Sequence, residues 1–240
     1  MSELINFRDF GYLPTTDGKR VKKGHFYRSG SYRDLLEEDI VFLKTLEIDH
    51  LFDYRESSEL DKPERHEEFA KVVHRISASE YLGGFDKEED PVVLDMKAMV
   101  EFYRQIPFGN PGYQNLFKVL LSEKQPITML HNCSAGKDRT GLATALVQKA
   151  LDVHDDAIMM DYLKSMNAYE QILQNEYRRL NGQTEASLLN KLSGLVVMPQ
   201  YLEASFEAIE EKYGSFDRYF EEEFGMKSSD RKRLKKMYTV

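Results

Sequence analysis

One cysteine, Cys133, is all the thiol chemistry this 240-residue chain has. An internal disulfide is therefore ruled out, which suits a reducing compartment. No second cysteine could resolve an oxidised Cys133, leaving a backbone sulfenamide or a small-molecule thiol as the protective route. Long apolar runs are missing too: no stretch reaches the roughly 18 residues that a membrane-spanning helix needs. The opening Met-Ser-Glu-Leu-Ile-Asn has no basic segment followed by an apolar one, so neither classical export nor membrane spanning is expected. A cytoplasmic location is the expectation, with secretion by a route without a cleaved signal left open. Positive charge is in deficit. With 33 basic and 41 acidic residues the net charge is −8, which argues against a nucleic-acid partner. No repeat period is evident, and the length suits one domain, residues 1–240, with a sizeable core.

What is present alternates short apolar runs with helical patterns, which predicts an α/β layer structure rather than a bundle. Phe26-Tyr27, Ile48 to Phe52, Val72 to Ile76 and Ile127 to Leu130 read as strands. They predict a central, mostly parallel sheet of four to five strands flanked by helices. Leu35 to Leu46 reads as an amphipathic helix, and Met96 to Tyr103 and Tyr113 to Leu121 as two more, separated by a break at Pro107 to Pro111. Between Ser77 and Pro91 the pattern is lost, and Gly83-Gly84 with an acidic cluster marks a loop. From His154 to Val240 the pattern is wholly helical, a cap on the same domain, with Leu188, Leu192, Leu195, Tyr201, Leu202, Phe206 and Ile209 as core candidates. Basic residues gather at Lys19 to Lys23, where they could form a positive rim, and at Arg231 to Lys236, on a terminal helix.

Residues 131–141 read His-Asn-Cys-Ser-Ala-Gly-Lys-Asp-Arg-Thr-Gly and say more than any other stretch. A buried strand precedes them, and helical spacing at Leu142, Ala143, Ala145, Leu146 and Leu151 follows. A strand-loop-helix turn aims successive backbone N–H groups and the positive end of the helix at one spot, which suits a tetrahedral anion. Cys133 would lie at the bottom of that cradle, lined by Ser134, Ala135, Gly136, Lys137 and Thr140. Only the thiolate is a useful nucleophile, and settings with converging dipoles and a guanidinium lower a cysteine pKa from about 8.5 to roughly 3.5–7.5. Arg139 can hold two phosphoryl oxygens at once with its planar fork. Thr140 can donate its hydroxyl to the sulfur, and Gly136 and Gly141 permit close backbone approach. The group reads as covalent phosphoryl transfer through a cysteinyl-phosphate intermediate, needing no metal or cofactor.

Two other readings compete. A lone cysteine is most often a small buried hydrophobe, but the flanking residues have no apolar periodicity to pack with. Gly136-Lys137 suggests a nucleotide loop, yet that motif needs glycine where His131 stands and Ser or Thr where Asp138 stands.

The chain resembles the cysteine-dependent protein tyrosine phosphatases, and within them the bacterial tyrosine and lipid phosphatases whose loop reads Cys-x-Ala-Gly-Lys-Asp-Arg-Thr-Gly. Asn6-Phe7-Arg8-Asp9-Phe10-Gly11, Asp17-Gly18-Lys19, Phe26-Tyr27-Arg28-Ser29, Asp53-Tyr54-Arg55 and Asp161-Tyr162-Leu163 are similar to further segments of that family, so the resemblance covers nearly the whole chain. It implies the cysteine phosphatase fold, Cys133 as nucleophile, Arg139 as phosphate clamp and Lys137 with Asp138 as the pair that marks this branch. The loop at 77–91 would then be placed to cover the pocket. Lys137 resembles the lysine of lipid phosphatases that neutralises a second phosphate on an inositol ring; the plain alternative is an outward, screened side chain. One departure stands out. The family places histidine directly before the nucleophile, whereas here Asn132 holds that position and His131 stands one residue earlier. A strand bulge would let His131 reach the expected site; without one, Asn132 must orient the loop by side-chain hydrogen bonds.

The leaving oxygen needs a proton from a nearby carboxyl group. Asp138 is the first candidate by the resemblance, its alternative being a helix-capping carboxylate. Asp53 at a strand end could face the pocket or bond Arg28 or Arg55, and Glu80 and Asp86 lie in the 77–91 segment. The expected activity is hydrolysis of phosphotyrosine, with phosphoserine, phosphothreonine or phosphoinositides as further substrates, so the partners are phosphorylated proteins or phosphoinositides. A catalytically weak or inactive phosphate-binding module is the alternative that Asn132 keeps open. An arsenate-reducing or sulfur-transfer enzyme also uses a cysteine in an anion loop, but the former needs cysteines this chain lacks.

Overall fold

Alternating apolar side chains divide this chain's strands between two helical layers. The computed structural model describes residues 4–32, 35–60, 72–82, 96–180 and 196–240. Within them five strands form one sheet: β1 (Arg8–Asp9), β2 (Phe26–Ser29), β3 (His50–Asp53), β4 (Val73–Arg75) and β5 (Met129–Asn132). Their order is β1-β2-β5-β3-β4, and every neighbouring pair is parallel except β1 with β2. Successive residues of a strand face opposite sides. Phe26, Phe52 and Met129 join one apolar cluster, while Leu51 and Leu130 join the other. The second cluster is closed by Ile40 and Leu43 of α1 (Glu37–Thr45). The first is closed by α3 (Pro111–Ser122) and by α4 (Arg139–Ala150), a helix whose residues are nearly all buried.

This is the expected α/β architecture with a mostly parallel sheet. β1 is an addition, since two residues carry no readable period. The strand before the motif runs two residues later than predicted, so His131 and Asn132 lie within it and Cys133 follows directly. The break at Pro107 to Pro111 ends at Pro111 itself, the first residue of α3, where its missing N–H costs nothing. Asn110 caps that helix by accepting the Tyr113 N–H at 3.2 Å.

After α4 come α5 (Asp155–Leu163), a 3-10 turn at Lys164–Ala168, α6 (Tyr169–Leu180), α7 (Pro199–Tyr213), α8 (Phe216–Phe224) and α9 (Ser228–Tyr238). α7 packs on α2 (Met96–Gln105): Tyr201 stacks on Tyr103 at 5.6 Å, and Ser205 Oγ donates to the Tyr103 carbonyl at 2.6 Å. Of the predicted core residues in this part, Tyr201, Leu202 and Ile209 are buried and Phe206 is half-buried, while Leu188, Leu192 and Leu195 lie outside the described residues. Lys19 to Lys23 do not rim the motif. They precede β2, whose far end meets the motif, and Val21 pairs instead with Thr239 beyond α9.

Candidate active site

Cys133 sits between the end of β5, the middle strand, and the first turn of α4, and is 2% exposed. The loop turns at Gly136, where φ is +64° and a Cβ would lie 2.3 Å from the Ser29 carbonyl oxygen. Only glycine fits, because both the left-handed backbone and the contact with β2 exclude a side chain.

Donors outside the loop grip its carbonyls one after another. The Ser31 N–H donates to Ser134 O at 2.9 Å. Asn6 Nδ2 donates to Ala135 O at 3.3 Å and to Gly136 O at 2.8 Å. Arg28 Nη2 donates to Gly136 O at 2.8 Å and reaches Lys137 O at 3.5 Å. In a trans peptide unit the carbonyl and the following N–H point opposite ways, and no described peptide is cis. Outward carbonyls at 134–137 therefore turn the amides of 135–138 to the other side, beside the N-terminus of α4. Four converging donors and a helix end make an anion cradle.

Those outer donors are themselves held. Asp161 of α5 pairs with Arg28 Nη1 at 3.2 Å and with Arg8 Nε at 2.9 Å. Burial would push its carboxyl up, but Arg28 and Arg8 hold it below the usual carboxylate range. Arg8 Nη1 also donates to Asn6 Oδ1 at 2.5 Å, fixing the amide that grips the loop. Gly141 leaves room for the Tyr162 ring and Arg28 Nη2 to approach α4, at 3.1 and 3.3 Å from where its Cβ would be.

Arg139 opens α4 and is fixed in front of the cradle. Nη1 meets Glu59 Oε2 at 2.5 Å and Nη2 meets Oε1 at 2.9 Å, while Nη1 also donates to Tyr54 O at 3.3 Å. Both Nη1 hydrogens and one Nη2 hydrogen are thus committed. The edge formed by Nε–H and the second Nη2–H is the parallel pair that suits two oxygens of a phosphoryl group. Glu59 also accepts the Ser134 hydroxyl. Its carboxyl would be raised by burial, but the bonds from Arg139 bring it down to about 2.

The expected site residues divide. Cys133, Ser134, Ala135, Gly136, Lys137, Asp138 and Arg139 all come together in or beside the cradle. Lys137 does not point outward: its side chain is buried with Nζ 3.0 Å from the Asp138 carboxylate. Asp138 is the N-cap residue just before α4 but makes no side-chain cap; its Oδ1 accepts the Tyr103 hydroxyl at 2.7 Å, and Tyr103 meets Tyr162 at 2.8 Å. Thr140 departs from expectation. Its hydroxyl is buried without a hydrogen-bond partner among the described residues, so the bond to sulfur is not formed. Asp53 takes the second of its expected places, bonded to Arg55. It is buried and accepts bonds from Arg55 at 2.7 and 2.9 Å, Arg75 at 3.1 Å and Asn132 at 3.2 Å. Burial would raise it, and Arg55 above all holds it ionised below the ordinary value. Glu80 is exposed and accepts the Ser57 N–H at 2.5 Å; Asp86 lies outside the described residues, as does the loop at 77–91 beyond Leu82.

The strand carries no bulge. Arg28 pairs with His131 and Ser29 with Asn132 in unbroken register, so the two residues face opposite sides of β5. Asn132 Nδ2 donates to Asp53 Oδ1 at 3.2 Å, tying the end of β5 to β3 just before Cys133 rather than bonding the loop itself. His131 lies under the sheet, stacked on Phe52 at 5.6 Å, with Nδ1 2.9 Å from the Tyr54 hydroxyl. Burial, with Arg28 nearby, pushes its imidazole down to about 3, so it is neutral at pH 7.

Glu59 escaped the sequence reading, because an acid in a polar segment carries no period. Asn6, Arg8, Arg28 and Asp161 stood within the family-like segments without a role. Among the described residues no group of three or more His, Cys, Asp or Glu side chains could hold a metal ion, and no helix is long and apolar enough to cross a membrane.

The full chain, residues 1–240, matches the model of the tyrosine phosphatase family. A Cupriavidus necator protein, assigned by name to the tyrosine-protein phosphatases, is 33% identical over 224 residues, covering 90% of this chain and 80% of its own. The triple specificity protein phosphatase PtpB of Mycobacterium tuberculosis is 26% identical over 252 residues, covering 89% of each.

Proposed function

Because this chain belongs to the tyrosine phosphatase family, we propose that it hydrolyses phosphotyrosine through a cysteinyl-phosphate on Cys133. The observation that carries the reading is the outward grip on the carbonyls of residues 134–137, which leaves four amides for one oxyanion beside the sulfur. The thiolate attacks phosphorus in line, and the phosphorus–ester bond breaks as the phosphorus–sulfur bond forms. The cradle amides and the Nε/Nη2 edge of Arg139 take the charge of the equatorial oxygens. Water then displaces the sulfur and releases phosphate.

Asp138 is the proton donor in this reading. Of the described carboxyl candidates it alone lies in the loop, while Asp53 is closed in by cations and Glu80 is spent on a backbone amide. The burial of Lys137 in the site supports a second, weaker activity on a doubly phosphorylated inositol ring, where its ammonium would meet the second phosphate. The name of the Mycobacterium tuberculosis relative supports a pocket open to more than one class of phosphate ester. We assign residues 1–240 to one phosphatase domain that works in the cytoplasm, where a lone nucleophilic thiol stays reduced.

Turnover of para-nitrophenyl phosphate in EDTA, compared with Cys133→Ser, tests the proposal. Activity that survives EDTA and vanishes in the variant is expected. Equal rates in the two proteins would remove Cys133 as nucleophile, and an inert parent would leave only a phosphate-binding module.

A further inference from the structure

Arg139 is one of two guanidiniums on the anion loop. The other, Arg28, is fully buried on β2 and touches the outer faces of the same peptide units. We propose that Arg28 is a positioning residue for oxyanion binding, gripping the loop from behind and strengthening the amides that face the substrate. The inference rests on the phosphatase reading above and adds a role to it.

Arg28 meets the loop at the peptide unit joining Gly136 to Lys137. Its carbonyl accepts both Arg28 Nη2 and Asn6 Nδ2 at 2.8 Å. A charge-assisted bond to a carbonyl draws electron density through the conjugated unit, so the N–H at its other end becomes a stronger donor. That N–H belongs to Lys137 and points into the cradle. Arg28 therefore acts on a bound phosphate through one peptide plane, without touching it.

Position reinforces this. Arg28, Arg8 and Asp161 together carry two positive charges and one negative, a net +1 behind the loop. The Arg28 guanidinium stays charged at neutral pH, although burial and Arg8 bring its pKa down to about 10. Little water intervenes to screen it, so its field reaches the loop more fully than a surface charge would. The cation on the neighbouring strand would be costly next to a charged imidazole, and His131 is neutral. Asp161 does not cancel the effect, because it is shared between both arginines. Its geometric task is to hold the Arg28 fork at the height of Gly136 O. The segments Asn6 to Arg8, Arg28 and Asp161 to Ser165 thereby form one hydrogen-bonded collar around the loop, closed by Asn6 Nδ2 to Ser165 Oγ at 3.1 Å.

Orthovanadate is the probe. Its affinity is measured by thermal shift and by competitive inhibition of para-nitrophenyl phosphate turnover, each normalised to the folded fraction, for the parent, Arg28→Met, Arg28→Lys and Asp161→Asn. In Arg28→Met, Asp161 keeps Arg8 as its partner. Loss of one charge-assisted bond predicts vanadate binding weaker by about 10-fold or more, with kcat/KM falling alongside. Arg28→Lys, which restores charge without the fork, should recover part of that loss, and Asp161→Asn should weaken binding less than Arg28→Met does. If Arg28→Met does not fold, Arg28→Lys and Asp161→Asn still give the reading, since both should bind vanadate more weakly than the parent. Vanadate affinity equal to the parent's in the folded variants, with only the melting temperature lowered, would reduce Arg28 to a packing residue and overturn the proposal. A parent that binds vanadate without turnover would instead sink the phosphatase reading and leave this one standing.

Discussion

Glu59 and Arg139 meet oxygen to nitrogen twice, at 2.5 and 2.9 Å, across 80 residues of sequence. That doubled contact occupies the Nη1/Nη2 edge of the guanidinium and holds Arg139 in place, leaving the Nε/Nη2 edge for an anion. Glu59→Gln keeps the shape but loses the charge and one of the two bonds. The expected result is a fall in kcat/KM of about 10- to 100-fold, the range of one charge-assisted bond. The pair also has a pH signature. Its carboxyl is lowered from 4.5 to about 2 in the folded protein, so its contribution to stability is complete above pH 4.5 and fades as pH falls toward 2. Urea melts across that window should be less pH-dependent in Glu59→Gln than in the parent; equal slopes would mean that the pair contributes nothing.

Gly136→Ala tests the turn of the loop. A left-handed alanine costs about 1–2 kcal/mol from the backbone alone, and its Cβ would overlap Ser29 O, so β2 and the loop must part. Both a lower melting temperature and weaker vanadate binding are expected. A variant that loses stability but binds vanadate as tightly as the parent would show that the cradle tolerates the shift.

Asp138→Asn separates proton donation from binding. Phenyl phosphate, whose leaving group needs a proton, should slow far more than para-nitrophenyl phosphate, whose leaving group departs as an anion. Equal slowing of both would take the acid role away from Asp138.

His131 provides a stability test away from the chemistry. Burial lowers its pKa from 6.5 to about 3, so below pH 6.5 the unfolded chain takes up a proton that the folded chain refuses. Stability should be unaffected above pH 6.5 and decline between pH 6.5 and 3, by up to about 1.4 kcal/mol for each pH unit. His131→Gln, which keeps a polar partner for Tyr54, should flatten that decline when folded stability is measured at intervals of pH. A slope identical to the parent's would mean that another group carries it.

By itself the sequence determined the layer class, most of the strands and early helices, and the identity of the loop with its cysteine and arginine. Those features depend on neighbours in the chain: the two-residue alternation of a strand, the helical spacing after Gly141, and a glycine where the backbone turns left-handed. Only the tertiary structure decided which acid holds Arg139, which candidate carboxyl is locked in an ion-pair network, and which groups grip the loop from outside. Glu59, Arg28 and Asp161 reach their partners across 80, 108 and 133 residues. No local pattern encodes such pairings, because a buried ion pair is specified by the packing of whole strands and helices. His131 and Asn132 lie on the boundary between the two. Their order was plain in the sequence, yet it took the unbroken register of β5 against β2 and β3 to turn Asn132 toward Asp53 and to send His131 to the opposite face.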